Sequence, residues 1–168
     1  MTQRLTPTYK SDDVAIQRLT HIGICVSNME RALRFYRDGL GFTYLSDLHV
    51  AGEPTDTLLG LHNVDLHACY LERDGTRIEL LHYASPAAVA GDRPRLMNQL
   101  GLTHLSLRVA DLPAVVADLR AAGAQVIERS RIDIPPFEAA AVFVTDPDGT
   151  RIELVQAPGD PALPPGGG

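Results

Sequence analysis

Two histidines and two glutamates recur at matched places in this sequence, and these residue types are suited to binding a divalent metal ion. They are His21, Glu79, His104 and Glu153. Each histidine follows Leu-Thr, and each glutamate lies inside the heptapeptide DGTRIEL, at residues 74–80 and again at 148–154. Two imidazoles and two carboxylates suit a six-coordinate first-row ion, with water in the remaining positions. A single histidine or glutamate is more often structural, but the recurrence of both favours metal binding.

The elements around these residues predict the same unit twice. Each copy opens with alternating apolar residues, which indicate a strand, and then reaches a helix-start residue, Asn28 or Asp111. Apolar residues at helical spacing follow, among them Phe35 and Tyr36, which are expected in the core. A left-handed glycine is expected to end each helix, Gly39 or Gly123. An Asp-Gly turn and a last strand close each copy. Two more strands fit in each, at residues 42–50 and 66–72, then 125–131 and 139–145. The prediction is an α+β fold of two βαβββ modules.

Strand alternation predicts which way the polar residues face. Ile78 and Leu80 should pack on the helices, so Glu79 between them should face the opposite, concave side of the sheet. The same holds for Glu153 and for the two matched histidines. Arg77 and Arg151 share the glutamate face and are weaker candidates for holding an anionic substrate or orienting the carboxylates.

Several other polar side chains have no counterpart in the repeat or only a weak case for function. Arg108 is expected either at the mouth of the cup or as a surface charge. His67 is expected either beside the metal ligands or facing outward. His49, His62 and His82 have no repeat partner and are interpreted as structural or surface residues.

The predicted organisation has five parts. They are an N-terminal arm at 1–18, a first module at 19–83, a connector with helix-forming pieces at 84–101, a second module at 102–156 and a disordered Pro/Gly-rich tail at 157–168. The segments 50–64 and 131–139 are expected to be loops that set substrate specificity.

Composition limits the function classes. Hydrophobic residues make up 45% of the 168-residue chain, enough for a packed interior, and the net charge of −6 argues against a nucleic-acid surface. No secretory signal or membrane-spanning run is present, so a cytoplasmic protein is expected. Cys25 and Cys69 are interpreted as buried small hydrophobes in a reducing compartment.

Two longer motifs resemble a known superfamily. THIGICVSNMERALRFYRDGLGF, which begins at Thr20, is similar to the opening of the vicinal oxygen chelate superfamily, and DPDGTRIEL at 146–154 to its closing strand. That superfamily includes glyoxalases, methylmalonyl-CoA epimerases, extradiol dioxygenases and small antibiotic-resistance proteins. The resemblance covers residues 19–156. It implies two modules forming a curved mixed-sheet cup around one metal ion, which two neighbouring substrate oxygens chelate.

The four-ligand pattern resembles glyoxalase I and the epimerases, and TRIELLHYASP at 76–86 resembles the epimerase stretch that leads out of the first module. This implies a metal-dependent epimerase, isomerase or lyase that moves a proton α to a carbonyl through an enediolate or enolate. Glu153 is the first candidate for the base and Glu79 the second. One divalent ion (Zn, Ni, Co, Mn or Fe), a small substrate with vicinal oxygens and a homodimer are expected. A non-haem iron extradiol-type dioxygenase and an antibiotic-binding resistance protein remain open as alternatives.

Overall fold

The computed structural model of the protein describes residues 16–91 and 95–163. The first repeat copy contains β1 (Ile22–Cys25), α1 (Met29–Leu33), β2 (Thr43–Ala51), α2 (Glu53–Leu59), β3 (Asp65–Arg73) and β4 (Thr76–Ser85). The second contains β5 (Leu105–Arg108), α3 (Leu112–Ala121), β6 (Gln125–Val126), β7 (Ile132–Ile134), β8 (Ala139–Thr145) and β9 (Arg151–Gln156). The predicted α+β fold is confirmed, with one mixed sheet from each copy.

The two sheets have the same core topology. The strand orders are β1-β4-β3-β2 and β5-β9-β8-β6, with β7 also paired to β8. In each sheet the first strand runs parallel to the last, which carries the repeated glutamate. Glu79 therefore lies opposite Gly23, and Glu153 opposite Ser106. This pairing brings each histidine, which precedes the first strand, to the same region of the sheet as its glutamate.

Alternate residues of the last strands form the core. Ile78, Leu80, Ile152 and Leu154 are each 0% exposed and belong to one apolar cluster built from both copies. Gly39, at the end of a π-helical turn that continues α1, contributes to this packing. A Cβ atom there would come within 3.1 Å of Ala122 and 3.2 Å of Leu119, so a larger residue would require the end of α3 to move slightly away from the first copy. Because the apolar faces of both sheets contribute to this shared core, the faces that carry Glu79 and Glu153 are turned away from it.

The turn before β9 joins the two copies through buried polar contacts. Asp146 is 1% exposed and accepts a hydrogen bond from the Tyr36 hydroxyl, with 2.9 Å between the oxygens. It also accepts from the backbone N–H groups of Asp148 and Thr150. Asp148 in turn accepts from the backbone and hydroxyl of Ser27 and pairs with Arg31, which lie at the start of the first copy's helix. Phe35 and Tyr36 are fully buried, as their helical spacing predicts.

Segment 50–64, expected to be a loop, contains the helix α2. Gly52 and Gly60, with φ of 88° and 63°, bound this helix at its N-cap and C-cap positions. None of the residues of α2 is buried. The sequence therefore lacks the apolar periodicity by which a core-facing helix is recognised.

The prediction of a strand at 125–131 is also wrong, except for its first two residues. After β6 the chain forms a 3₁₀ turn at Glu128–Ser130. The Ser130 hydroxyl donates to the Ile127 carbonyl and accepts from the Phe143 N–H, so a side chain replaces the ladder hydrogen bonds that a strand would make here.

Other expected boundaries shift by small amounts. The left-handed glycine after the first helix is Gly41 (φ 71°) and not Gly39, whereas Gly123 (φ 99°) is left-handed as expected. β4 extends to Ser85, and the described parts of 86–101 contain turns but no helix. Most of the N-terminal arm (1–15) and the end of the tail (164–168) lie outside the described residues.

None of the helices in the described part of the chain is long and apolar enough to cross a membrane.

Candidate metal centre

The first predicted pair, His21 and Glu79, lies together on the open face of the first sheet. The His21 Nε2 is 3.0 Å from a Glu79 carboxylate oxygen. Tyr70, directly opposite Glu79 on β3, packs edge-on against the imidazole with ring centroids 5.6 Å apart. Interaction with the Glu79 carboxylate, followed by partial burial, raises the pKa of Tyr70 to about 12. The phenol is therefore protonated at neutral pH.

The second pair, His104 and Glu153, repeats this arrangement on the second sheet. The His104 Nε2 lies 3.5 Å from Glu153 Oε2. Phe143, opposite Glu153 on β8, packs edge-on against the imidazole at 5.3 Å. The Ser106 hydroxyl donates to the same Oε2 at 2.8 Å. In both copies an aromatic ring, placed by the strand register, supports the histidine beside its glutamate.

A threonine contacts the other nitrogen of each imidazole. The hydroxyl oxygen of Thr20 lies 3.1 Å from His21 Nδ1, and that of Thr103 lies 2.9 Å from His104 Nδ1. Engaging Nδ1 orients the ring and presents Nε2 to the open face, as the outer-shell partners of metal-binding histidines do. The repeated Thr-His dipeptide thus accounts for the orientation of both rings.

The two pairs do not converge within one chain. Among the described residues, three candidate ligand atoms lie within 4.8 Å of one another at a single place, and it involves none of the four predicted ligands. A cleft of about 740 Å³ between the two copies is lined by residues such as Leu40, Phe42 and Leu105 and by none of the four. Within one chain, His21 with Glu79 and His104 with Glu153 therefore form two separate pairs.

The structure shows what each of the three arginines considered in the sequence contacts. Arg77 lies on the glutamate face but is paired with Glu72, 3.1 Å away, and not with Glu79. Arg108 donates to the backbone carbonyls of Ala157 and Pro158, so it holds the chain after β9. Arg151 is half-buried opposite Thr145. Cys69 is buried as expected, whereas Cys25 is exposed, which corrects its interpretation as a buried hydrophobe.

Sequence reasoning missed the cluster that the structure does assemble. One ligand atom each from Asp47, His49 and His67 lies within 4.8 Å of the others. Asp47 and His49 are two residues apart on β2, so alternation could have placed them on one face. Their approach to His67 depends on the β2–β3 register, which the local sequence does not reveal.

Comparison with known proteins identifies a family. Residues 18–154 match the family model described as Glyoxalase/Bleomycin resistance protein/Dioxygenase superfamily. The chain is 30% identical over 143 residues to the Uncharacterized protein YaeR of Escherichia coli, covering 85% of this chain and 98% of the relative. It is 30% identical to a Probable lactoylglutathione lyase of Synechocystis (82% and 94% covered) and 27% identical to the mitochondrial Methylmalonyl-CoA epimerase of Bos taurus (83% and 74% covered).

Solved structures share the fold. A glyoxalase family protein from Bacillus cereus superposes with a TM-score of 0.74 at 21% identity, covering 88% of this chain and 98% of that chain. FosX from Listeria monocytogenes, a fosfomycin resistance protein whose structure contains Mn(II) and sulfate, superposes with a TM-score of 0.56 at 14% identity, covering 89% and 99%. At these identities the likeness concerns the fold alone.

Proposed function

The chain belongs to the Glyoxalase/Bleomycin resistance protein/Dioxygenase superfamily, and we propose that within it this protein is a metal-dependent epimerase or isomerase. It moves a proton α to the carbonyl of a small substrate with two neighbouring oxygens. The observation that carries the proposal is the repeated half-site, in which a threonine-oriented imidazole and a glutamate lie side by side on an open sheet face.

The donor set fits a divalent transition-metal ion. His21, His104, Glu79 and Glu153 would hold it through two Nε2 atoms and two carboxylates, a mixture of imidazole and oxygen donors that suits Zn, Ni, Co, Mn or Fe. When bound, such an ion lowers the energy of negative charge developing on a substrate carbonyl oxygen.

Glu153 is the proposed base. The described residues donate hydrogen bonds to its Oε2 only, from Ser106, which leaves Oε1 available for the α-proton. Glu79 lies 3.0 Å from His21 Nε2, closer than the 3.5 Å between Glu153 and His104, and is better suited to remain a ligand. Glu153 would take the proton to give an enolate and return it to the other face of the same carbon, which is epimerisation, or to the adjacent carbon, which is isomerisation.

We infer further that each complete site forms between two chains. The glutamate faces are turned away from the core that the two copies share, so one chain supplies a half-site on each side. Exposed apolar side chains share those faces: Leu48, 48% exposed, on the Glu79 face, and Ile132 and Ile134, 50% and 38% exposed, on the Glu153 face. A homodimer that pairs the first sheet of one chain with the second sheet of its partner would cover both faces and complete both sites.

Proton transfer is tested by exchange with solvent. The metal-loaded protein is incubated in heavy water with methylmalonyl-CoA and, separately, with lactoylglutathione, and deuterium at the α-carbon is followed by NMR. Methylmalonyl-CoA is the thioester named for the epimerase relative, and lactoylglutathione the one named for the probable lyase relative. Incorporation into either substrate is expected, and the substrate that exchanges indicates the acyl class.

Glu153→Gln should lower the exchange rate by about 10²–10⁴, the usual contribution of a general base, while binding of a substrate analogue persists. Asp160→Asn, at an exposed site outside both sheets, serves as the matched control and should exchange at the wild-type rate. Turnover that requires oxygen would replace this function with the dioxygenase alternative. Tight binding without exchange, unchanged when both glutamates are replaced, would favour a resistance protein.

A further inference from the structure

A row of three histidines crosses the first sheet on the face opposite Glu79. In the strand register His49 of β2 pairs with His67 of β3, and His67 pairs with His82 of β4. Directly paired residues share a face. His82 and the buried Leu80 are two residues apart on β4, so the row lies on the core-facing side of the sheet. It is therefore separate from the half-site of His21 and Glu79.

Asp47 completes a compact set of donor atoms at the outer end of this row. Its Oδ2 lies 3.4 Å from His67 Nε2 and 3.8 Å from His49 Nε2. The two imidazoles stack with ring centroids 4.1 Å apart and an angle of 10° between their planes. Both Nε2 atoms therefore lie near the same carboxylate oxygen, and one ligand atom from each of the three residues is within 4.8 Å of the others, close enough to contact one shared ion.

One nitrogen of this cluster, His67 Nε2, has no hydrogen-bond partner among the described residues. His67 Nε2 is screened from solvent and forms no hydrogen bond within the described residues, because its contact with Asp47 lacks suitable geometry. A buried polar nitrogen without a partner is costly, so a bound group would satisfy it. The Tyr44 hydroxyl donates to Asp47 Oδ1, which fixes the carboxylate and leaves Oδ2 facing the imidazoles.

We propose that Asp47, His49 and His67 bind a second divalent transition-metal ion, distinct from the ion of the predicted four-ligand site. Two imidazole nitrogens and one carboxylate favour Zn²⁺, Ni²⁺ or Cu²⁺ over Mg²⁺ or Ca²⁺, which prefer oxygen ligands. The His49 side chain is 67% exposed, so the remaining coordination positions are open to water or to an external ligand. Since β2 is the edge strand of its sheet, the ion would link that edge to β3.

The test is a zinc titration of the untagged, chelator-treated full chain, with bound ions counted by native mass spectrometry and elemental analysis. Wild type is expected to bind two ions per chain. His49→Ala and Asp47→Asn should each lose one, and His104→Ala should lose the other while keeping this one. His62→Ala, an exposed histidine outside the cluster, is the matched control and should keep both.

Failure of this site is distinguishable from failure of the proposed enzymatic site. One ion in wild type that His49→Ala removes would support this inference and overturn the four-ligand site. Wild-type zinc stoichiometry and affinity in both His49→Ala and Asp47→Asn would overturn this inference. Both positions are exposed, and matching circular dichroism of the metal-free variants would show that a lost ion is not a lost fold.

Discussion

Asp146 shows how one buried side chain holds the two repeat copies together. Its carboxylate is the acceptor for three donors: the Tyr36 hydroxyl and the N–H groups of Asp148 and Thr150. Asp146→Ala would leave all three without that acceptor, and each buried unsatisfied donor costs roughly 1–3 kcal/mol. The free energy of unfolding, measured by urea denaturation, should therefore fall by about 3 kcal/mol or more. Asp146→Asn keeps an oxygen for both N–H groups and should cost much less; equal losses in the two variants would contradict this account.

The same residue predicts a pH dependence. Burial raises the pKa of Asp146 above its ordinary value of 3.8, although its hydrogen bonds oppose the shift. The folded protein therefore holds this proton to higher pH than the unfolded chain does. The stability that protonated Asp146 contributes to the folded state is complete below the pKa of the unfolded chain. It is lost as pH rises through the pKa of the folded protein. The unfolding free energy of wild type minus that of Asp146→Asn should decrease as pH rises above about 3.8; an increase would contradict the sign.

Between elements, the repeated heptapeptide DGTRIEL has different roles in its two copies. Asp148, its first residue in the second copy, joins the turn before β9 to Ser27 and Arg31 of the first copy. Asp74, its counterpart, is exposed and contacts only the neighbouring Arg73 among the described salt bridges. Asp148→Asn should lower the unfolding free energy by roughly 1–2 kcal/mol, because it weakens charge-assisted hydrogen bonds. Asp74→Asn should change it by less than about 0.5 kcal/mol. Equal losses of unfolding free energy in Asp148→Asn and Asp74→Asn, measured by thermal or urea unfolding, would show that the contacts of Asp148 do not stabilise the packing of the two copies.

For the whole molecule, the shared site predicts a dimer and complementation between chains. Light scattering should give twice the chain mass of 18.2 kDa. One variant combines His21→Ala with Glu79→Gln, and the other His104→Ala with Glu153→Gln. Neither alone should exchange substrate deuterium. After subunit exchange half of the dimers are mixed, each with one intact site of two, so about a quarter of wild-type exchange activity should return.

A monomer by light scattering would remove the basis for the shared site. Mixed dimers seen by native mass spectrometry without recovered activity would place the four ligands within one chain instead. The control mixes the first variant with wild type: its mixed dimers have one intact site each, so activity should only follow the amount of wild-type chain added.

The sequence alone was sufficient for the features that depend on local pattern. Period-2 alternation predicted that Glu79 and Glu153 face away from the core, and helical spacing predicted that Phe35 and Tyr36 are buried, because both follow from backbone geometry. The internal repeat predicted the α+β fold, since identical segments form similar units. The metal ligation by His21, Glu79, His104 and Glu153 stays a prediction.

The tertiary structure decided what depends on contacts between distant segments. The tight approach of Gly39 to α3, the burial of Asp146 against Tyr36 and the different surroundings of Asp74 and Asp148 all arise where the two copies pack. The β2–β3 register decides which side chain lies beside His49, because a shift of one residue would turn His67 to the other face. Local pattern carries no information on such pairings, since many registers satisfy the same alternation of apolar and polar residues.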